Sequence, residues 1–564
     1  MTSSKQQTIR ARIAREAIAK VMRFFDGTLA QALHEILQNA RRSGATSVAI
    51  TRDQANTRIT VSDDGRGIGD PTALLAFGRS GWPKDLHGAE HPAGMGIFSL
   101  ARRSPRIRSR TAGRAAWSVQ LGEDHFVGRA PAAVAADPGW DRDHGTDVTF
   151  SVLPTDSCWI PTVIADAVRH YPIPVTVNGR KPEQTDFLED AVRTETWRGL
   201  RVGVFHSSSP NWTTPAVNFH GLHVAFSDLP RVQALPGADA DAPRTWWTLA
   251  DVIDCPDLEL TLPTRTAIVQ TPFTAELVSE ATRIIYRAIA AAGQAPRLGY
   301  ETRTKAAAAG IALPADPRHL TPWEPKNARD AKPLNRPRHP DLQHAVLVDD
   351  DELDAAESQT LAWAAKECGS LGRYWDIESG LRGYRWYDEL PCIVGVNIHM
   401  RSGTRTHTST RQTRRNGESP FRGTVDEIEI ELLVKRESCY APGKVRIPTS
   451  AALLSPEGGG TSEIEPVFVT RRDAPIDKGA LGSALAEAYF QPSFDSDADS
   501  IDTQLREYRR QIAYLVTELL ESREAAADAD LRELMTTCIL PSMSGESNVD
   551  IEIRNGALTA IRRI

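Results

Sequence analysis

Glu35-Ile36-Leu37-Gln38-Asn39 is followed by Asp63-Asp64-Gly65-Arg66-Gly67 and then by Gly94-Met95-Gly96, ahead of an apolar run that begins at Ile97. A Glu and an Asn at i and i+4 share one face of a helix. From that face the Asn39 amide oxygen can ligate a hard cation, while Glu35 stands one turn away as a general base. The acidic glycine turn and the second glycine turn then follow in an order that suits a nucleotide, its metal and an attacking water. Each element alone is weak, since Asp-Gly is common in hairpin turns and a helix carboxylate is ordinary. Their order carries the inference.

Around this cluster the chain reads as a multidomain globular protein. Its 564 residues predict about three or four domains. Hydrophobic content of 41% and charged content of 25% are ordinary for a folded chain. No run of about 18 apolar residues occurs, which excludes a transmembrane helix candidate. The opening MTSSKQQTIRARIAREAIAK lacks the apolar core of a secretory signal. It predicts an amphipathic helix over 9–25, with Ile9, Ile13, Ile18, Val21 and Phe25 on one stripe. Six cysteines without a CxxC pair argue against a zinc site or disulfide framework, so a reducing, cytoplasmic location is expected. A net charge of -7 leaves only local basic patches for a polyanion.

Hydrophobic spacing predicts a helix over 29–42, closed by Gly44, then strands over 46–51 and 58–62. The second strand delivers Asp63 to its C-terminal end. Periodicity is lost over 70–93, which reads as a lid over a ligand. A helix from Ile97 and strands over 106–111, 115–120 and 146–152 complete an α/β sandwich spanning 1–180. A second unit, 185–295, shows strands near 199–205, 216–219 and 223–226 before a helix over 274–292. Residues 296–342, rich in Pro and basic residues, read as a linker. The remaining 343–564 reads as an α+β region, with a helix near 353–368, strands over 391–400 and 424–435, a helical segment over 501–537 and a last strand over 549–554.

With these motifs in view, residues 29–150 resemble the nucleotide-binding domain of the GHKL superfamily. That group includes gyrase ATPase subunits, MutL mismatch-repair proteins, heat-shock chaperones, MORC proteins and histidine kinases. The resemblance implies a GHKL (Bergerat) α/β sandwich, with ATP and Mg2+ as ligands. Glu35 matches the general base, and Asn39 the residue that holds magnesium between the phosphates. Asp63 matches the carboxylate that accepts the adenine amino group, a role suited to an acceptor-only side chain. Gly65 and Gly67 would let the backbone pass close to the base. Gly94 and Gly96 would turn N–H groups toward phosphate. Thr146, in Gly145-Thr146, would support the adenine pocket. Two departures concern the phosphate end: Arg42 stands where many members have an acidic residue, and the second glycine turn reads HPAGMG. Histidine kinases usually carry Asn or His at the Glu35 position. A carboxylate there favours water as the acceptor.

The segment 258–270 resembles the middle-domain loop of the heat-shock chaperones and assigns Arg265 to the γ-phosphate. On that reading 185–295 is a transducer that engages ATP when the two domains close. In the C-terminal half, Asp495, Asp497 and Asp499 fail the calcium-loop pattern, because Arg506 occupies the position of the bidentate Glu, and read instead as an acidic stretch capping the next helix. Arg401, Arg405, His407, Arg411, Arg414, Arg415 and Arg422 form a basic loop able to lie along a nucleic-acid backbone. Tyr374, Trp375, Tyr384, Trp386 and Tyr387 read as core. The expectation is a cytoplasmic ATPase in which Mg-ATP drives closure and homodimerisation of a clamp or a chaperone-like machine acting on a protein client. A MutL- or MORC-like clamp in DNA repair or defence is the alternative, as is a non-hydrolysing regulator related to histidine kinases.

Overall fold

The computed structural model describes residues 27–55, 57–78, 82, 96–156, 160–207, 216–237, 244–262, 265–293, 296–327, 335–410, 421, 423–436, 443–454, 466–494, 499–536, 549–554 and 557–563. The expected N-terminal helix over 9–25 and most of the expected lid lie outside them. The fold is mixed α/β with several sheets, and it divides into two compact units. The first comprises residues 1–234, 242–295 and 302–315; the second holds the remainder. No described helix is long and apolar enough to cross a membrane.

In the first unit, α1 (Leu29–Arg42) has the bounds that the apolar spacing predicts. The Thr28 hydroxyl caps its start by accepting from the Gln31 N–H at 3.2 Å. Gly44, with φ +75°, reverses the chain after its end. The strands β1 (Val48–Arg52), β2 (Arg58–Asp63), β3 (Arg106–Arg110), β4 (Trp117–Gln120), β5 (Val134–Ala136), β6 (Gly145–Ser151) and β7 (Val175–Val177) form one sheet in the order β5-β4-β3-β6-β2-β1-β7. Only the β1–β7 pair is parallel. Alternation sorts each strand: Val48, Ile50, Ile59, Val61, Ile107, Val148 and Phe150 join the core, while Thr60 and Thr149 point away and bond to each other at 2.9 Å. Against the core face lie α1, α2 (Ile160–Arg169) and a 3-10 helix, Gly96–Arg103. The helix expected from Ile97 therefore takes the tighter form. Its last residue, Arg103, is fully buried, bonding the Asp156 carboxylate at 2.6 Å and the Gly27 carbonyl at 2.5 Å.

A second sheet follows in the same unit. Its strands are β8 (Arg193–Trp197), β9 (Leu200–Ser207), β10 (Val217–Phe219), β11 (Leu222–Val224), β12 (Arg231–Gln233) and β13 (Thr245–Val252), in the order β11-β10-β13-β9-β8 with β12 on β13. Sequence periodicity misses β13, because a central strand covered on both faces loses its alternation. The helix α3 (Pro272–Ala291) packs Phe273, Leu277, Ala281, Ile284 and Ile285 inward.

Residues 296–342 are more than a tether. They contain α4 (Tyr300–Ala308), and Leu298, Leu320 and Trp323 are buried. Buried Arg297 pairs with Glu378 at 2.7 Å and donates to the His319 carbonyl at 2.7 Å. The Trp323 indole N–H donates to Asp350 at 2.9 Å. Apolar residues between the prolines fill core positions, which a Pro-rich, basic composition does not reveal.

The second unit has a sheet of β14 (Val346–Val348), β15 (Tyr374–Asp376), β16 (Cys392–Ser402), β17 (Arg405–Ser409), β19 (Glu427–Lys435) and β20 (Gly443–Pro448), ordered β15-β14-β16-β19-β20 with β17 on β16. A three-stranded sheet joins β18 (Gly423–Val425), β22 (Val467–Arg471) and β21 (Ala451–Leu454). Helices α5 (Ala355–Glu367), α6 (Lys478–Tyr489), α7 (Ile501–Leu520) and α8 (Arg523–Leu534) accompany them. The helical segment expected over 501–537 is broken at Ser522, whose hydroxyl starts a new helix by accepting from the Ala525 N–H. A hairpin, β23 (Val549–Arg554) with β24 (Ala557–Arg563), closes the described chain.

Candidate active site

On α1, Glu35 is 8% exposed and Asn39, one turn later, is half-buried. The first side chain to meet Glu35 comes from the second sheet's domain. Arg265 is 6% exposed, and its Nη1 lies 3.8 Å from Glu35 Oε1. Its loop is tightly closed: the Arg265 N–H donates to the Thr261 carbonyl at 2.8 Å, and the Thr261 N–H to that of Ala267 at 2.9 Å. Arg265 itself takes φ +55°, the left-handed region that a non-glycine residue enters only when its surroundings demand it.

Gly96 stands beside the other Glu35 oxygen. A Cβ at that position would overlap Oε2, so any side chain where the 3-10 helix begins would have to displace the Glu35 carboxylate. Gly94 lies outside the described residues. Asn39 side-chain atoms make no hydrogen bond among the described residues, which leaves the amide oxygen available to a cation. Among them, too, no group of three or more His, Cys, Asp or Glu side chains forms a metal cage. A single amide-oxygen donor is the kind of ligand a hard cation such as Mg2+ accepts, its other ligands being water and phosphate oxygens.

Asp63 ends β2, 7% exposed, opposite Thr146 of β6 in the register. Its Oδ1 accepts the Gly65 N–H at 2.9 Å. Burial pushes its carboxyl up to about 6, against the opposing pull of the Gly65 N–H and Arg142. The Ser109 hydroxyl donates to the Gly145 carbonyl at 2.9 Å and accepts the Ile68 N–H at 2.8 Å, with Thr146 Oγ1 3.0 Å away. With the Ser109 proton committed, Thr146 donates to Ser109 and keeps its own lone pairs as acceptors. A Cβ on Gly65 would overlap the Ser43 side chain, and one on Gly67, at φ +77°, the Arg110 carbonyl.

Sequence reasoning missed four supports. Arg142 donates to the Asp63 carbonyl at 2.8 Å, is ion-paired with Asp147 and lies 4.4 Å over the Trp140 ring. His144 Nδ1 is 2.9 Å from the Gly65 carbonyl. Both belong to the polar run 141–144 just before Gly145-Thr146, the only signal that could have marked them. Asp64 accepts from Thr46 and Ser47 backbone and hydroxyl groups, which hold its carboxyl down at about 2. The two aspartates thus separate into one buried and acid-weakened, the other structural. Gln38, finally, donates its amide to the Phe219 and His220 carbonyls at 3.0 and 2.9 Å, tying α1 to the turn between β10 and β11. Arg42, the departure noted in sequence, is buried in the last turn of α1, where a cation suits the helix dipole.

In the second unit, Arg401 pairs with Glu427 at 2.9 Å, Lys444 with Glu431 at 3.1 Å and Arg446 with Glu429 at 3.6 Å. Three cations of this sheet are therefore matched by carboxylates. Arg405 and His407 lie on β17, and Arg411, Arg414, Arg415 and Arg422 lie outside the described residues. Tyr374, Trp375, Tyr384 and Tyr387 are buried in the core. Asp495 and Asp497 lie outside the described residues; the Ser500 hydroxyl caps α7, accepting from Thr503 at 3.3 Å. No protein-family model matches the sequence, and no curated protein does.

Proposed function

We propose that this chain is a GHKL-type ATP hydrolase, with Glu35 as general base and Arg265 as the cation for the γ-phosphate. The observation that carries this reading is the meeting of buried Glu35 with Arg265, whose Nη1 stands 3.8 Å away. Burying a carboxylate and a guanidinium together at this distance, without a hydrogen bond between them, is costly for stability, which favours a functional reason for the pair. Asp63, with the Gly65 N–H and the Thr146 hydroxyl around it, supports adenine recognition: a carboxylate and a hydroxyl accept from an exocyclic amine.

In this mechanism a water attacks the γ-phosphorus and Glu35 takes its proton. The bond from phosphorus to the bridging oxygen breaks, and ADP leaves with the electron pair. Arg265 stabilises charge spreading over the phosphoryl oxygens. Magnesium, held by the Asn39 amide oxygen, would neutralise phosphate charge. The output we propose is conformational: nucleotide-driven homodimerisation in the cytoplasm, working as a clamp or chaperone-like machine. The test is phosphate release from Mg-ATP by the full chain. Wild type is expected to turn over slowly, and Asp63→Asn to lose ATP binding and turnover together. Normal ATP affinity in Asp63→Asn refutes the adenine assignment.

A further inference from the structure

The Glu35–Arg265 pair is assembled by a closed circuit within the first unit. Gln38 on α1 grips the carbonyls of Phe219 and His220. β11 leads from there to Ala225, which bridges Ala267 in the Arg265 loop, and Leu260 bridges Ile268 at its base. The loop then returns to α1 through Arg265, 3.8 Å from Glu35. The two supports sit one turn apart on α1, so the loop is already docked on the helix that carries the general base.

That docking conflicts with the task each residue has in hydrolysis. A carboxylate oxygen turned toward a guanidinium is not turned toward water, and a guanidinium facing a carboxylate is not yet engaged with phosphate. At 3.8 Å the pair is an ion pair without a hydrogen bond. A γ-phosphate offers more negative charge and several oxygens in bidentate geometry, so it outcompetes a single carboxylate oxygen. An ADP molecule lacks that group and leaves the pair in place.

Resting on the nucleotide reading above, we infer that Glu35 and Arg265 form a γ-phosphate-sensing latch. Glu35 holds Arg265 until ATP binds; Arg265 then transfers to the γ-phosphate, and the same movement frees Glu35 to accept a proton from water. The base is thereby armed by the substrate itself and stays masked with ADP.

The experiment is a set of affinities for Mg-ATP and Mg-ADP on the full chain: wild type, Glu35→Gln, Arg265→Ala and the double variant. Glu35→Gln removes the competing charge and should tighten ATP about tenfold, leaving ADP within about twofold. In the Arg265→Ala background the same change should alter neither. Arg265→Lys, which keeps the charge, guards against loss of the loop itself: it should restore part of the ATP preference. Equal tightening of ATP and ADP, or an Arg265-independent effect, overturns the latch alone. A wild-type chain that binds neither nucleotide overturns the nucleotide reading and the latch with it.

Discussion

At its Asp63 end the candidate site uses residues between 43 and 146, all within one sheet and its adjoining turns. At its Glu35 end it joins α1 to the 3-10 helix through Gly96 and, far along the chain, to Arg265. The first end is fixed by ladder register and glycine contacts that a ligand cannot easily rearrange. The second depends on side-chain contacts, the Glu35–Arg265 ion pair and the Gln38 amide clamp among them, which can exchange partners. A site built this way has a rigid end for recognition and a responsive end for chemistry.

The sharpest break between the ends comes from Asp63→Asn. It should weaken adenine-nucleotide binding by roughly 100-fold or more, since an acceptor in a buried site becomes partly a donor that repels the amine. Calorimetric titration checks it. Gly96→Ala attacks the other end, because its methyl must displace Glu35. Turnover should fall by roughly 10- to 100-fold while adenosine affinity stays unchanged, read from phosphate release beside competition binding. Equal damage to both would erase the distinction.

Two smaller effects test the supports. Gln38→Ala removes the clamp on the Phe219 and His220 carbonyls, leaving buried acceptors unmatched. It should cost about 1–3 kcal/mol in chemical denaturation and reduce the preference for ATP over ADP. Acid should act on both ends, with signs that differ. Asp63 ionises near 6 when folded and near 4 when unfolded, so its burial lowers stability as pH rises from about 4 to about 6. Ionisation is what suits it to an amine donor, so affinity for adenosine, which has no phosphate to titrate, should fall as pH drops through about 6. His34 and His223, desolvated by burial, protonate at about 4 rather than near 6.5. The unfolded chain therefore binds their protons first, and stability is lost as pH falls from about 6.5 to about 4. The slope is up to about 1.4 kcal/mol per pH unit for each imidazole. Replacing His34 with Gln should flatten the melting-temperature profile in that window.

What the sequence made legible follows from how local each signal is. The α1 boundaries lie in its own apolar stripe, its Thr28 cap and Gly44, and the position of Asp63 at a strand end lies in the alternation of 58–63. Gly96 was legible as a glycine but not for its reason, because its contact is a carboxylate on another element. Arg142 and His144 were missed because they act through Asp63 and Gly65 backbone carbonyls, which leave no pattern in side-chain identity. The strand β13 hid behind its own burial, and the Pro-rich stretch around Trp323 behind its composition. Arg265 could be marked by resemblance, yet that it meets Glu35, and so closes the loop onto α1, is a tertiary fact.

The most direct test of the central claim is phosphate release by Glu35→Gln under saturating Mg-ATP, measured beside its ATP affinity. The account predicts turnover reduced by roughly 100- to 10,000-fold with ATP still bound at least as tightly as by wild type. Turnover at the wild-type rate would contradict it.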